Sequence, residues 1–341
     1  MRKENANNKI DFIIRWVDGN DEEWQVKKNK YSMKAGEGAI ENRYRDWENL
    51  VYIFRGIDKF APWVNKIYFV SDGQIPKWLN VKHPKLQIVN HTDFIPHQYL
   101  PTFSSRAIDF NLHRIQGLAE QFVVFDDDFF LLRSTAPTDF FVNGKPKDMI
   151  IEYPIMCSGH SMVFSNSLCN TFNVIGKYYS RKQYKKNLRF KMLNPCYGLY
   201  FFYNFIQYII PYPKFFGMLT PHFPYRFLKS SYLELWNLEE ELLNKTCQHK
   251  FRDRTDVNIY IFRLWNLLKG NFVPGNVMKM GKAFLISGED PKIYKAIEKQ
   301  KYKFICLNDE CSNETFQDIK PKIIDSFEKI LPEKCSFEIK E

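Results

Sequence analysis

The first half of the chain alternates short, densely apolar runs with longer stretches whose apolar residues recur at helical spacing. Residues 10–16 predict a strand ending in the turn Val17-Asp18-Gly19-Asn20-Asp21. Over residues 47–60, Leu50, Ile53, Phe54 and Ile57 fall on one helical face, and Pro62 stops the helix. Residues 66–71 predict the next strand, followed by the turn Asp72-Gly73-Gln74, and residues 86–90 predict another. After a loop over 96–104 comes a helix from about 105 to 118, and then a strand over 122–125 that runs directly into Asp126-Asp127-Asp128.

Strands alternating with crossover helices predict an α/β fold with a mainly parallel, Rossmann-like sheet. In such sheets ligands bind beyond the carboxyl ends of the strands, where Asp18, Asp72 and the acidic triplet all stand. The second half reads as a helical portion packed on that sheet, with helical periodicity over 199–210, 230–243 and 256–268 and turns rich in Pro and Gly between. The longest apolar stretch, 197–210, contains Asn204 and Gln207 and is too short to cross a bilayer. It leads into Pro211-Tyr212-Pro213-Lys214-Phe215-Phe216, an aromatic and basic run suited to a membrane interface, although ordinary frequencies of apolar segments favour a buried helix.

Composition narrows the classes. With 45% hydrophobic and 26% charged residues over 341 positions, the chain is globular and long enough for one large domain or two ordinary ones. The 17% aromatic content is high, and base composition of the encoding genome can produce it. A formal net charge of +10 favours phosphorylated substrates or anionic membrane surfaces. Nucleic acid is disfavoured, since no recognition helix, zinc finger or single-strand-reading motif is present. Met1–Asn8 has a charged start and no apolar run behind it, so no export signal is expected. Seven cysteines, an odd number without a Cys-x-x-Cys pair, indicate reduced thiols, and Cys306 and Cys311 read as structural.

Three carboxylates at the end of a buried strand repel one another unless a cation sits there, and a hard divalent ion held by carboxylate oxygens is the usual solution. A solvated acidic turn or a helix N-cap would use the same residue type. His222 lies between Pro221 and Pro224, which fix the backbone around a potential acid, base or phosphate contact, where an ordinary surface histidine is the alternative. Arg252 has the geometry for a phosphate, with Asp256 near it in sequence, although a surface ion pair and an N-cap would read alike.

Together these residues resemble the Stealth family, which includes bacterial capsule-polysaccharide sugar-phosphate transferases and the animal N-acetylglucosamine phosphotransferase. Four blocks carry the resemblance. The first is residues 11–19, with Trp16-Val17-Asp18-Gly19 at its end, and the second runs over 43–141 and includes Ser71-Asp72-Gly73-Gln74, Ser104-Ser105 and the acidic triplet. Pro221-His222-Phe223-Pro224 with Phe251-Arg252 and Asp256 forms the third, and residues 305–309 with 331–338 form the fourth. Two positions depart from the family pattern: Asp126 replaces an Asn before the acidic pair, and Val51 stands in place of an arginine, leaving Arg55 as the arginine of that helix.

The resemblance implies transfer of a hexose-1-phosphate from a nucleotide-diphospho sugar to a glycan or lipid-linked glycan hydroxyl, on a GT-A-like sheet. It assigns Asp127 and Asp128 to Mg²⁺ or Mn²⁺, Arg252 and Arg55 to the diphosphate, and His222 to the general base or a phosphate contact. Asp18 and Gly19 would receive the nucleotide, Asp72 and Ser105 would complete substrate binding, and Asp256 would orient Arg252 or His222. Residues 1–165 would then bind nucleotide sugar and metal, 166–280 would complete the active site, and 281–341 would pack back on the core. A cytoplasmic enzyme, peripheral at the inner membrane face, is the expected setting. A metal-dependent glycosyltransferase and a non-catalytic glycan-binding protein are the alternatives.

Overall fold

The computed structural model describes residues 9–32, 44–156 and 162–340. Met1–Asn8, read for an export signal, and Arg43, where the second block begins, lie outside the described residues. The strands in chain order are β1 (Ile10–Arg15), β2 (Ile67–Ser71), β3 (Leu86–Asn90), β4 (Gln121–Phe125), β5 (Phe129–Leu131) and β6 (Phe141–Val142). They continue with β7 (Lys145–Asp148), β8 (Tyr225–Leu228), β9 (Val273–Pro274), β10 (Gly281–Ile286) and β11 (Phe304–Asp309).

The main sheet has the order β3-β2-β1-β4-β8, with the first four parallel and β8 antiparallel at one edge. The fold is therefore α/β with a mainly parallel Rossmann-like sheet, as the sequence pattern predicts. β1 is central and covered on both faces, which is why its apolar run is continuous instead of alternating. Its Asp11 is fully buried and satisfied by the Asn65 amide at 2.6 Å and the Ala119 backbone N–H at 2.7 Å. The helix Leu50–Phe60 lays its apolar face on the core, and Gly56 lets it approach β5 so closely that a Cβ there would come within 2.9 Å of the Leu131 carbonyl.

After β4 the chain turns through the acidic triplet and leaves the main sheet. β5 pairs antiparallel with β11, setting Phe129 opposite Cys306, while β10 and β11 run parallel to each other across the helix Pro291–Glu298. The triplet is thus a junction between two sheets. β6, β7 and β9 form a third, small sheet.

The second half is less purely helical than its periodicity predicts. β8 is four residues long and contains Arg226, so it shows neither alternation nor an unbroken apolar run. The guanidinium is nonetheless buried over the rings of Phe140 and Phe304, at 5.2 and 5.6 Å. The run over 230–243 divides at Glu239 into the helices Lys229–Leu238 and Glu240–Gln248. The helix expected over 105–118 ends at Asn111 and continues as the single 3-10 turn Leu112–Arg114.

One expectation is overturned. The helix Leu199–Ile209, favoured as a core helix, buries Asn204 alone, whose amide donates to the carbonyls of Ile150 and Met192 at 2.9 and 2.8 Å. That polar anchor and the half-buried Tyr200, Tyr203 and Tyr208 hold one side of the helix, and Leu199, Phe202, Phe205, Ile206 and Ile209 on the other face water. No helix among the described residues is long and apolar enough to cross a membrane.

Burial also sets a pH response. Desolvation, with help from Arg114, pushes the His113 imidazole down to about 3, so it folds neutral against Tyr232 and Trp236. The unfolded chain binds this proton near pH 6.5 and the folded chain does not, so stability present above that pH is lost as the pH falls toward 3. Urea titrations should show His113→Gln removing about 1.4 kcal/mol per pH unit of that acid sensitivity.

Candidate active site

Asp126, Asp127 and Asp128 occupy one turn, yet each meets a different environment. Asp126 is ion-paired with Arg15, which ends the neighbouring β1 and pairs on its other side with Asp109 from the helix Ser105–Asn111. One guanidinium therefore serves two carboxylates and fully compensates neither. Desolvation outweighs Arg15 at Asp109 and, with Asp126 adding to it, pushes that carboxyl up to about 7, whereas the combined charge of the two carboxylates keeps Arg15 firmly ionised against its own burial.

Asp127 is open to water on one side. Enough protein still surrounds it that desolvation, followed by the charges of Asp128 and Asp126, raises its pKa above the ordinary carboxylate range. Asp128 behaves in the opposite sense. Burial would raise it, but the facing His222 imidazole and hydrogen bonds from His222 and Cys306 bring it below that range.

His222 presents Nε2 to Asp128 Oδ2 at 3.4 Å, and its Nδ1 shares a hydrogen bond with the Tyr225 hydroxyl at 2.8 Å. The side chain retains 34% of its exposure, so it stands at the mouth of the site. Its position follows from local sequence: Pro221 and Pro224 fix the loop, and the chain then enters β8 beside β4. Cys306, brought in by the pairing of β11 with β5, donates its thiol to the same Asp128 oxygen at 3.2 Å.

The other oxygen, Asp128 Oδ1, is buried without a hydrogen-bond partner among the described residues. An orphaned carboxylate oxygen beside a second carboxylate of raised pKa is what a cation would satisfy. Desolvation, then Asp128, keep Cys306 a thiol, so the donors on offer are carboxylate oxygens and the His222 nitrogen, which fits Mg²⁺ or Mn²⁺ better than a thiolate-seeking ion. Asp127 and Asp128 are the residues that would hold it.

Arg252 donates to the Ser105 hydroxyl at 2.8 Å, and its charge is felt at Asp109. These two expected residues thus meet on the Arg15 side of the triplet. Asp18 and Gly19 lie in the turn after β1. Gln74 ties the Asp18 backbone to the turn after β2 with two bonds of 2.9 Å, and a Cβ at Gly19 would strike the Tyr44 carbonyl at 1.8 Å. Asp46 feels the charge of Asp18 and adds its own at Asp127, which brings the turn toward the acidic triplet.

Three expected site residues are placed differently. Arg55 points into the C-terminal segment, where Glu338 takes its Nε and Nη2 at 2.8 and 3.0 Å and Glu328 and the Leu331 carbonyl take Nη1, so its donors are spent on holding residues 328–338. Asp256 is fully buried and accepts from Arg106 and His249 at 2.6 Å each and from the Asp253 backbone at 2.8 Å. It therefore anchors Arg106 and His249, not Arg252 or His222. Asp72 stands at the expected strand end but is paired with Lys27 of the helix Glu22–Ser32, with His91 3.7 Å away.

Arg15, Asp109, Asp46 and Tyr225 were not singled out by their sequence, and Cys306 read as structural. Arg15 carried one usable signal, a lone arginine closing a buried strand next to one that ends in carboxylates. The others sit in ordinary surroundings in the sequence: the pairing of β4 with β8 and of β5 with β11 brings in Tyr225 and Cys306, and Asp109 arrives through its ion pair with Arg15.

Comparison with known proteins gives a consistent picture. Residues 43–148 match the model of Stealth protein CR2, conserved region 2. The chain is 38% identical over 334 residues to the capsular polysaccharide phosphotransferase WcwK of Streptococcus pneumoniae, covering 97% of this chain and 98% of that protein. It is 37% identical to the receptor polysaccharide phosphotransferase WefC of Streptococcus oralis, over 97% of this chain and all of that one. To the exopolysaccharide phosphotransferase cps2G of Lactiplantibacillus plantarum it is 36% identical, over 96% of both. Among solved structures, the apo-form glycosyltransferase GlyE of Streptococcus pneumoniae aligns over 92% of this chain and 78% of that one at 13% identity with a TM-score of 0.25, too loose to carry an argument. With more than a third of its positions shared over nearly the full length of these phosphotransferases, and the second conserved region in place, the chain belongs to the Stealth family.

Proposed function

We propose that this phosphotransferase moves a hexose-1-phosphate, for example an N-acetylhexosamine-1-phosphate, from a nucleotide-diphospho sugar to a hydroxyl of a growing surface or capsular glycan. The relatives bear the names of capsular, receptor and exopolysaccharide phosphotransferases, which supports the acceptor class. The observation that carries the site reading is Asp128, with one oxygen engaged by His222 and Cys306 and the other buried and unpartnered beside Asp127.

In this reading Arg252, seated by Ser105, binds the diphosphate, and the Asp18-Gly19 turn receives the nucleotide. Mg²⁺ or Mn²⁺, when bound by Asp127 and Asp128, supplies neutralisation of the diphosphate charge. His222 takes the proton of the acceptor hydroxyl. The acceptor oxygen bonds to the phosphorus that carries the sugar, the bond from that phosphorus to the bridging oxygen breaks, and a nucleoside monophosphate leaves. The bond between C1 and its oxygen is untouched, so the anomeric configuration is kept. Arg15 and Asp109 hold the turn rigid so that little reorganisation accompanies the step. We place the reaction in the cytoplasm, with a lipid-linked glycan at the inner membrane face as one acceptor.

The released nucleotide is the test. Incubating the full chain with a panel of nucleotide sugars, an acceptor glycan and Mg²⁺ should yield a nucleoside monophosphate and a phosphodiester product, both abolished by a chelator. Release of a nucleoside diphosphate would identify a conventional metal-dependent glycosyltransferase. Glycan binding with neither turnover nor a metal requirement would identify a non-catalytic protein.

A further inference from the structure

We propose that the helix Leu199–Ile209 is a docking surface for an anionic lipid bilayer, lying in the plane of the headgroup and acyl boundary. Leu199, Phe202, Ile206 and Ile209 form one stripe along it, exposed by 86, 64, 52 and 60%, and Phe205 beside them is 49% exposed. So many large apolar side chains on one helical face have no reason to meet water in a folded protein unless something apolar covers them. The helix has 11 residues and spans about 16 Å, too short to cross a bilayer and suited to rest on one.

Charge chooses the occupant. Residues 153–233, which include this helix, contain ten Lys and Arg and not one Asp or Glu. The other 39 Lys and Arg are matched by 39 Asp and Glu, so the whole formal net charge of +10 resides in this stretch. The structure brings the charge to the apolar stripe. Arg181 donates to the carbonyls of Gln207, Ile210 and Tyr212 at 2.6, 2.9 and 2.9 Å, fastening the basic helix Arg181–Asn187 to the carboxyl end of the apolar one. Lys182, Lys186 and Arg189 are exposed there, and Phe190 adds a side chain 78% exposed.

Arg181 itself is buried and paired with Glu152 at 2.6 Å, and the apolar stripe beside the exposed Lys182, Lys186 and Arg189 matches the two layers of an anionic membrane surface, acyl chains and phosphate headgroups. A second copy of this chain would instead set like charge against like charge. The surface is also linked to the site: the chain leaves it at Tyr212 and reaches His222 ten residues later, crossing β-bridge contact between Met218 and Glu152 on the way. Docking there would hold the acceptor side of the enzyme at the membrane.

Cosedimentation with phosphatidylcholine vesicles, with and without phosphatidylglycerol, tests this. The full chain should pellet with phosphatidylglycerol vesicles, weakly with phosphatidylcholine alone, and be released by salt. A Phe202→Ser, Ile206→Ser, Ile209→Ser variant should lose vesicle binding. A Lys182→Gln, Lys186→Gln, Arg189→Gln variant should bind on the order of 100-fold more weakly. Both variants should keep the wild-type melting temperature and nucleotide release with a soluble acceptor, because the altered side chains face solvent and lie outside the site. Wild-type protein that stays in the supernatant, or either variant binding like wild type, overturns the proposal. So does a lipid-free dimer that the serine variant makes monomeric, which would show a second copy covering the stripe. The nucleotide assay needs no vesicles, so this proposal and the reading of the reaction fail separately.

Discussion

Turnover in an Asp127→Asn variant is expected to fall by at least about 10²-fold, with no loss of melting temperature. The two halves of this result have one cause. Asp127 stands where desolvation and repulsion from Asp128 and Asp126 disfavour its charge and raise its pKa. A folded-state pKa above the unfolded value means that ionising Asp127 costs stability, a cost absent in acid and fully present once the pH exceeds the folded pKa. Asparagine removes it, so in thermal melts the variant should match or exceed wild type most clearly at alkaline pH. Nucleotide release measured alongside would show the loss of activity. A variant that melts well below wild type would mean that Asp127 is held for structure, and a variant that turns over normally would remove this carboxylate from the chemistry.

The second large effect is expected at Arg15, whose substitution by leucine should cost about 3–5 kcal/mol in urea unfolding and most of the activity. Arg15 is the shared counter-charge of Asp109 and Asp126, both largely buried, so its loss leaves two carboxylates facing each other without compensation. Protonating Asp109 relieves that repulsion, so the deficit should shrink as the pH falls. Adding Asp109→Asn to Arg15→Leu should restore part of the stability, which a simple packing defect would not allow. An additive double variant would show that the pair is not coupled.

Strands β1, β2 and β4 were legible because they are covered on both faces and therefore read as dense apolar runs between helical patterns. β8 and β10 were not, since a four-residue edge strand and a partly exposed strand have too little regular alternation to register. The same distinction runs through the site. Asp127 and Asp128 stand out because three consecutive carboxylates after an apolar strand are conspicuous in one dimension, and His222 because two prolines frame it. Cys306 and Asp109 depend on pairings between distant segments. Arg55 and Asp256 show the converse: a charged side chain in a matching motif reads the same whether it faces a ligand or anchors its own chain, and only its partners, Glu338 for the one and Arg106 for the other, tell which.

The contact between Cys306 and Asp128 joins residues 178 positions apart. A ribosome that has already made the sheet, the acidic turn and His222 has not yet made the strand that completes this pocket. The pocket is thus completed only late in synthesis, after closure of a very long loop, and a nascent or prematurely stopped chain lacks the strand that engages Asp128.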